Sequence, residues 1–107
     1  GGEMSNYSYP IDLEWSHEEM NKVIKLWNAV EEAYEKGIQV EAFKKAYQEF
    51  KTVVRSIGEE KRLGREFEEV SEYSLYRVVQ ASKNATKIIR MEGLKNNGFI
   101  SNTLISK

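Results

Sequence analysis

The chain has 107 residues, 40% hydrophobic and 31% charged, which is enough for one folded domain and too few for two. It has no cysteine, which excludes disulfides and thiolate chemistry and favours the reducing cytoplasm as its location. No apolar run approaches the roughly twenty residues that span a bilayer, and no signal-peptide pattern opens the sequence, so we expect no membrane partner.

Charge is unevenly distributed along the chain. Sixteen basic and seventeen acidic side chains give a net charge of -1, yet residues 77–107 contain a single acidic side chain, Glu92. The basic side chains of that segment are Arg77, Lys83, Lys87, Arg90, Lys95 and Lys107. Such asymmetry is found in segments that bind nucleic acid or acidic partners, although a basic C-terminal segment more often only solvates the end of a chain.

The N-terminal segment is predicted to be extended up to the first helix. Residues 1–8 are expected to be flexible, and the first three of them are excluded from fold reasoning because they resemble an added leader before the first methionine. Pro10 disfavours helix at Tyr9, and apolar and polar residues alternate from there. We expect Tyr9, Ile11 and Leu13 to hold this segment across the helices.

The first predicted helix, residues 15–37, is the longest and has clear signals at both ends. Ser16 and Glu19 have capping-box spacing, and Gly37 suits the left-handed position that ends many helices. Its apolar residues cover about half of the circumference, which predicts neighbours on two sides. Glu31 falls inside this arc. We interpret it as a buried-carboxylate candidate with a Lys, Arg or Tyr partner, and a catalytic acid is the alternative.

Two shorter helices are predicted next. The second lies near residues 40–54, and the short link before it predicts an antiparallel hairpin with the first. The third starts at Ser56, which has capping-box spacing to Glu59. Its narrow apolar stripe predicts a peripheral helix that leans on the hairpin. The stripe consists of Leu63, Phe67 and Val70.

A fourth helix is predicted to start at the N-cap Ser74, with a helical period that continues to Met91 and places Ile89 inward. Four of its residues fall on one outward strip, near i, i+4, i+7 and i+11. An aromatic between cations suits an acidic peptide or a single-stranded nucleic acid, although a solvated helix face is the simpler interpretation. This candidate interaction surface consists of Tyr76, Gln80, Lys83 and Lys87.

The sequence after Met91 loses helical period and gains Gly and Asn. Asn97 and Gly98 form a turn signal that could pair residues 88–89 with residues 99–100 as a hairpin. A lone hairpin is marginal in water, so we expect residues 92–107 to be a mobile tail. The predicted fold is an all-α single domain over residues 9–91. It is a small bundle of about four helices with an extended N-terminal segment.

Several short sequences occur in an order and spacing that resemble a known family. They are YPID at 9–12, EWSHEEM at 14–20, VEEAYEKG at 30–37, FK at 50–51, EEK at 59–61, FEE at 67–69 and SEYSLYRVV at 71–79. Together they resemble uncharacterised protein family 0223, small cytosolic proteins of low-GC Gram-positive bacteria. The resemblance covers about residues 4–87 and implies an all-helical domain with no assigned biochemical activity.

Two positions depart from the family pattern. Arg55 stands where the pattern has proline after paired valines, so the break between the second and third helices is less enforced. Glu72 stands where the pattern has glycine, and it costs about 1 kcal/mol if the left-handed turn is kept.

The residues that usually carry chemistry are sparse. His17, the one histidine, lies at a predicted helix start beside two glutamates and lacks the spacing of a metal-binding helix. The seven glycines form no phosphate-binding loop, and adjacent glutamates point about 100° apart on a helix. The sequence therefore predicts no catalytic, cofactor or metal site, and we expect a protein that is not an enzyme.

Three functional hypotheses follow. The leading one is a non-enzymatic protein-interaction or self-associating module, because 11% aromatic residues exceeds what one small core is expected to bury. The alternative is weak binding of nucleic acid or an acidic partner through the basic fourth helix and tail. The acidic remainder of the chain disfavours nucleic acid. The third is an enzyme that uses Glu31 in an apolar pocket.

Overall fold

Four α-helices and two short strands make up the fold of residues 7–91. The computed structural model describes residues 7–91, so residues 1–6 and 92–107, including the predicted tail, lie outside the described residues. The elements are α1 (His17–Glu35), β1 (Ile38–Gln39), α2 (Val40–Val53), α3 (Ile57–Ser71), α4 (Leu75–Asn84) and β2 (Ile88–Ile89). The predicted all-α class with four helices is confirmed, and the two-stranded sheet is an addition to it.

Serine side chains cap three helices where the sequence predicts them. Ser16 Oγ accepts a hydrogen bond from Glu19 N at 3.1 Å, and the Glu19 side chain accepts one from Ser16 N at 2.9 Å, which completes the capping box. Ser56 and Ser74 each accept a hydrogen bond at 3.1 Å from the backbone N–H three residues further on. Local sequence therefore fixes where these helices begin.

One aromatic cluster joins α1, α2 and α3. Trp27 and Phe50 lie at similar distances from the link between α1 and α2, and their ring centroids are 5.9 Å apart, so the two helices form the predicted antiparallel hairpin. Phe67 of α3 stacks on Trp27 with centroids 4.5 Å apart. All three side chains are fully buried, so α3 is anchored to the hairpin through this contact.

The prediction that the fourth helix continues towards Met91 is wrong. It ends at Asn84, and Ala85 has extended backbone with ψ 145°. The chain then forms β2, which pairs antiparallel with β1, with Ile38 opposite Ile89. Ile89 is buried as predicted, but on a strand and not on a helix.

Backbone hydrogen bonds at and beside the two strands join distant parts of the chain. Val40 N donates to Lys87 O at 2.8 Å beside the sheet, and Met91 N donates to Ala33 O at 2.9 Å. The sequence placed the possible partner of residues 88–89 downstream, at residues 99–100, which lie outside the described residues. The observed partner is upstream because the α1–α2 link presents an extended edge to this segment.

Of the three side chains predicted to hold the N-terminal segment, only Tyr9 packs against the core. Leu13 is 84% exposed and Ile11 is also exposed, so the expectation that both pin the segment is wrong. Trp27 Nε1 instead donates to Pro10 O at 3.1 Å. The Tyr7 ring contacts the Phe67 ring at a centroid distance of 6.3 Å, so packing already includes a residue within the segment expected to be flexible.

The remaining differences concern the ends of α2 and α3. Val54 is extended with φ -104° and ψ 95°, so the break after α2 is kept although Arg55 stands in the proline position. Val70 is exposed, which corrects its assignment to the inward stripe of α3, whereas Leu63 and Phe67 are buried as predicted. Glu72 adopts the left-handed conformation with φ 70°.

Candidate interaction groove

A groove of about 480 Å³ lies between α3 and α4, with two residues from the second half of α2 completing its lining. We call it the α3–α4 groove. Its lining includes Tyr47 and Lys51 of α2, Ile57, Glu60, Lys61, Gly64, Arg65 and Glu68 of α3, and Leu75, Tyr76, Val79, Gln80 and Lys83 of α4.

Helical periodicity places these residues on two facing sides. On each helix they recur at three- and four-residue intervals, so they share one face. Gly64 of α3 faces Leu75 of α4, and an added Cβ at Gly64 would be 3.6 Å from a Leu75 methyl carbon. A larger side chain at this position would occupy the groove, so the glycine keeps the space open.

The α2 side of the groove ends in a polar cluster. The Tyr47 hydroxyl donates to Glu60 Oε2 at 2.6 Å, and Lys51 pairs with the other carboxylate oxygen. The Lys51 ammonium also lies 5.6 Å from the Tyr47 ring centroid. Burial, followed by the hydrogen bond to Glu60, raises the pKa of Tyr47 well above its ordinary value of 10.0. The Glu60 charge is therefore already compensated within the protein.

Apolar side chains form the floor of the groove and one exposed position on each of its two sides. Leu75 is buried and Val79 half-buried beneath the groove, whereas Ile57 on α3 is 65% exposed and Tyr76 on α4 is 71% exposed. Both of these exposed apolar side chains line the same groove.

Three exposed cations also line the groove. They are Lys61 and Arg65 on α3 and Lys83 on α4. Within residues 7–91, no carboxylate lies within 4.0 Å of the charged nitrogens of these three side chains. Two acidic residues line the groove, and one of them, Glu60, is paired with Lys51. The other is Glu68, so the rim carries an excess of positive charge.

The structure brings three of the four predicted surface residues together. Tyr76, Gln80 and Lys83 line the α4 side of the groove. Lys87 does not join them because α4 ends at Asn84, and its carbonyl accepts the hydrogen bond from α2 described above. The periodicity of α4 was extended too far, which placed Lys87 on a face that the helix does not reach.

Sequence reasoning missed the α3 half of the groove. Lys61 and Arg65 flank Gly64 at an i,i+4 spacing on a helix whose apolar stripe is narrow. That combination indicates an unfilled helix face with a small residue at its centre, whereas the narrow stripe alone predicts only a peripheral helix. The contribution of Tyr47 and Lys51 could not be found in this way, because it depends on how α2 packs beside α3.

Glu31 lies away from the groove and connects the N-terminal segment to α1. It is half-buried, and its two carboxylate oxygens accept hydrogen bonds from the hydroxyls of Tyr7 and Tyr9. The Tyr9 hydroxyl is also 2.9 Å from Asn28 Oδ1. These bonds give the carboxylate polar partners and fix the segment that crosses the helices.

Other sites considered from the sequence have simple surroundings. His17 is the exposed first residue of α1. Among residues 7–91, no group of three His, Cys, Asp or Glu side chains is arranged to hold a metal ion. None of the helices in this range has the length and apolar character needed to span a membrane.

The capped helices, their shared aromatic cluster and the open groove place this chain among small all-α domains. It belongs to the Uncharacterised protein family UPF0223, whose model matches residues 6–89. A UPF0223 protein from Enterococcus faecalis is 60% identical over 80 residues, which is 75% of this chain and 87% of the relative. One from Streptococcus sanguinis is 56% identical over 82 residues, 77% of this chain and 89% of the relative. The family resemblance inferred from the sequence is thus confirmed.

The family match includes every element of the fold. It begins before α1 and ends at residue 89, the last residue of β2. The strand pairing and both walls of the groove therefore belong to the part of the chain that matches the family. Residues 90–107 lie beyond the match.

Proposed function

We propose that this domain is a non-enzymatic protein-interaction module that binds its partner in the α3–α4 groove. The observation that carries the proposal is the exposure of Ile57 and Tyr76 on opposite rims above an apolar floor. Grooves of this kind accommodate the apolar face of a partner helix. The absence of cysteine supports action in the cytoplasm.

The support for an interaction role rests on where the aromatic residues lie, not on how many there are. Trp27 is fully buried, and the other aromatic side chains of residues 7–91 are buried or half-buried, except Tyr76. The excess of aromatics that suggested an interface is thus largely used in the core. The one that is exposed lies on the rim of the groove.

Site-specific photo-crosslinking tests the proposal. Benzoylphenylalanine replaces Tyr76 in one variant and Leu13, an exposed apolar residue away from the groove, in a matched control. Both variants are expressed in Enterococcus faecalis, a host of a close relative, and irradiated in living cells. We expect a discrete protein adduct from position 76 that is absent from position 13.

The mass of the adduct separates the possible outcomes. An adduct of twice the mass of the chain would identify self-association through the groove. Identical adducts at both positions, or none at position 76, would show that the groove is not an interface and would contradict the proposal. Circular dichroism of each purified variant establishes that both are folded before irradiation.

A further inference from the structure

The charges on the groove rim define the chemistry of the partner. We infer that the α3–α4 groove binds an acidic amphipathic helix of another protein, an inference that rests on the proposed function. Its apolar face packs on Leu75 and Val79, and its carboxylates meet Lys61, Arg65 and Lys83. These five side chains lie in one groove and combine an apolar floor with a cationic rim.

The pairing of cations differs between the two sides of α3. Arg62, which does not line the groove, has Glu66 at 3.0 Å and Glu59 at 3.5 Å. Lys61 and Arg65, which line it, have no carboxylate within 4.0 Å among residues 7–91. Lys83, on the α4 side of the groove, likewise has no carboxylate within 4.0 Å among these residues, so three such cations face one groove whose own acidic residues are Glu60, paired with Lys51, and Glu68. An acidic partner would supply the missing counter-charges.

The spacing of the cations suits a helical partner. Lys61 and Arg65 are four residues apart, which is a rise of about 6 Å along α3, the same as that between carboxylates at i and i+4 on another helix. The groove face of α3 extends from Ile57 to Glu68, a length of roughly 16 Å. This length accommodates about three turns of a helix that lies along the groove.

A helix fits the groove better than a single-stranded nucleic acid does. Nucleic-acid grooves stack successive bases on several aromatic side chains, whereas Tyr76 is the exposed aromatic residue in this groove. The Glu68 carboxylate would repel a phosphate backbone, but it can lie beside a polar position of a helix. The apolar floor at Leu75 and Val79 requires apolar side chains above it.

Peptides of designed charge test the inference on the full chain. The probe is a capped synthetic helix of about fifteen residues with leucines at i, i+4 and i+7 and glutamates on both flanks. Two further peptides replace the glutamates with glutamine or with lysine. Binding is followed through the backbone amide NMR signals of Tyr76, Gln80 and Lys83. We expect saturable shifts with the glutamate peptide and about tenfold weaker binding of the lysine peptide.

Charge reversal on the protein provides the reciprocal measurement. The variant K61E/R65E/K83E should bind the glutamate peptide about tenfold more weakly than the native chain and should prefer the lysine peptide. The matched control K25E/K44E/K45E changes the net charge equally at exposed lysines outside the groove, and it should bind like the native chain. An amide spectrum of each variant shows whether the fold is retained.

The outcomes distinguish this inference from the proposed function. Equal binding of all three peptides at the groove would overturn the acidic partner and leave the interaction module intact. If a single-stranded oligonucleotide of about twelve residues shifts the same signals at lower concentration, nucleic acid is the partner and the inference is wrong. Failure of all three peptides overturns the inference. The crosslinking at position 76 then decides independently whether the groove is an interface.

Discussion

Glu72 shows how a few side-chain contacts keep a turn that its own residue type disfavours. Glu72 lies between α3 and α4 and has φ 70°. This left-handed conformation costs a non-glycine residue about 1–2 kcal/mol. The turn is fixed on both sides. Glu72 N donates to Glu68 O at 2.7 Å, and the buried Ser71 Oγ accepts from Tyr73 N at 3.0 Å. The Tyr34 hydroxyl accepts a hydrogen bond from Ser74 N at 3.2 Å. These bonds fix the backbone on both sides of position 72 without using the Glu72 side chain.

Glu72→Gly should therefore stabilise the protein. Relief of the left-handed strain, about 1–2 kcal/mol, is offset by the extra freedom of glycine in the unfolded chain, about 0.5–1 kcal/mol. We expect a net gain of roughly 0.5–1 kcal/mol in the free energy of unfolding, measured by urea denaturation.

The same substitution at Glu69 is the matched control. Glu69 is exposed within α3, where glycine costs about 1 kcal/mol relative to a good helix former. The two variants should thus change stability in opposite directions. A loss of stability in Glu72→Gly would show that the carboxylate contributes more than the strain costs.

At the scale of secondary-structure elements, the short sheet determines where α4 ends. Two residues of the α1–α2 link pair with two residues after α4, so the final described segment lies against the start of α2. Gly37, with φ 94°, allows the link to turn out of α1 into an extended conformation. An added Cβ there would lie 3.3 Å from Ile88 Cγ2, so the two segments are in close contact.

Neighbouring isoleucines on β2 test this arrangement. Ile89 is 2% exposed and Ile88 is 45% exposed, because successive strand residues point to opposite sides. Ile89→Ala should lower the free energy of unfolding by about 2–4 kcal/mol, and Ile88→Ala by less than about 1 kcal/mol. Thermal and urea denaturation of both variants provide the measurement. Equal losses would show that this segment is not packed as a strand.

Tyrosines link the stability of the whole molecule to alkaline pH. Burial raises the pKa of Tyr34, and it also raises those of Tyr47 and Tyr73 well above 10.0, with further contributions from hydrogen bonds to Glu60 and Glu35. The folded protein keeps these protons at a pH at which the unfolded chain loses them. The stabilisation is therefore complete below about pH 10 and is lost as the pH rises towards the folded-state values.

Tyr47→Phe should make the protein less sensitive to alkaline pH. It removes the hydroxyl that donates to Glu60, so stability at neutral pH falls by about 1 kcal/mol. The further decrease between about pH 9 and pH 11 should be smaller than in the native chain. Tyr76→Phe, at an exposed position, is the control and should follow the native profile. If the stability of Tyr47→Phe falls as steeply with rising pH as that of the native chain, the link between Tyr47 burial and alkaline stability is contradicted.

Much of the architecture could be predicted from local sequence because helix signals act within a few residues. The serine caps, the apolar periodicity of α1 and α2 and the glycine at the end of α1 depend on neighbours along the chain. The same reasoning extended α4 too far, because Ile89 satisfies helical periodicity and strand burial equally well. A two-residue strand carries too little pattern to be recognised alone.

The candidate site was only half predictable. Tyr76, Gln80 and Lys83 lie on one helix, so their shared face follows from spacing. Lys61 and Arg65 join them only because α3 packs on Trp27 through Phe67 and leaves its other side facing α4. No rule of spacing within either helix relates the two faces to each other.

The sequence alone determined that this protein is a small helical domain, because capping and amphipathic periodicity are local and recur in each helix. Only the tertiary structure decided that β1 pairs with β2 and that α3 and α4 enclose a groove with a cationic rim. Both features join residues that are distant in sequence. They depend on backbone hydrogen bonds and side-chain packing across the core, which no single segment specifies.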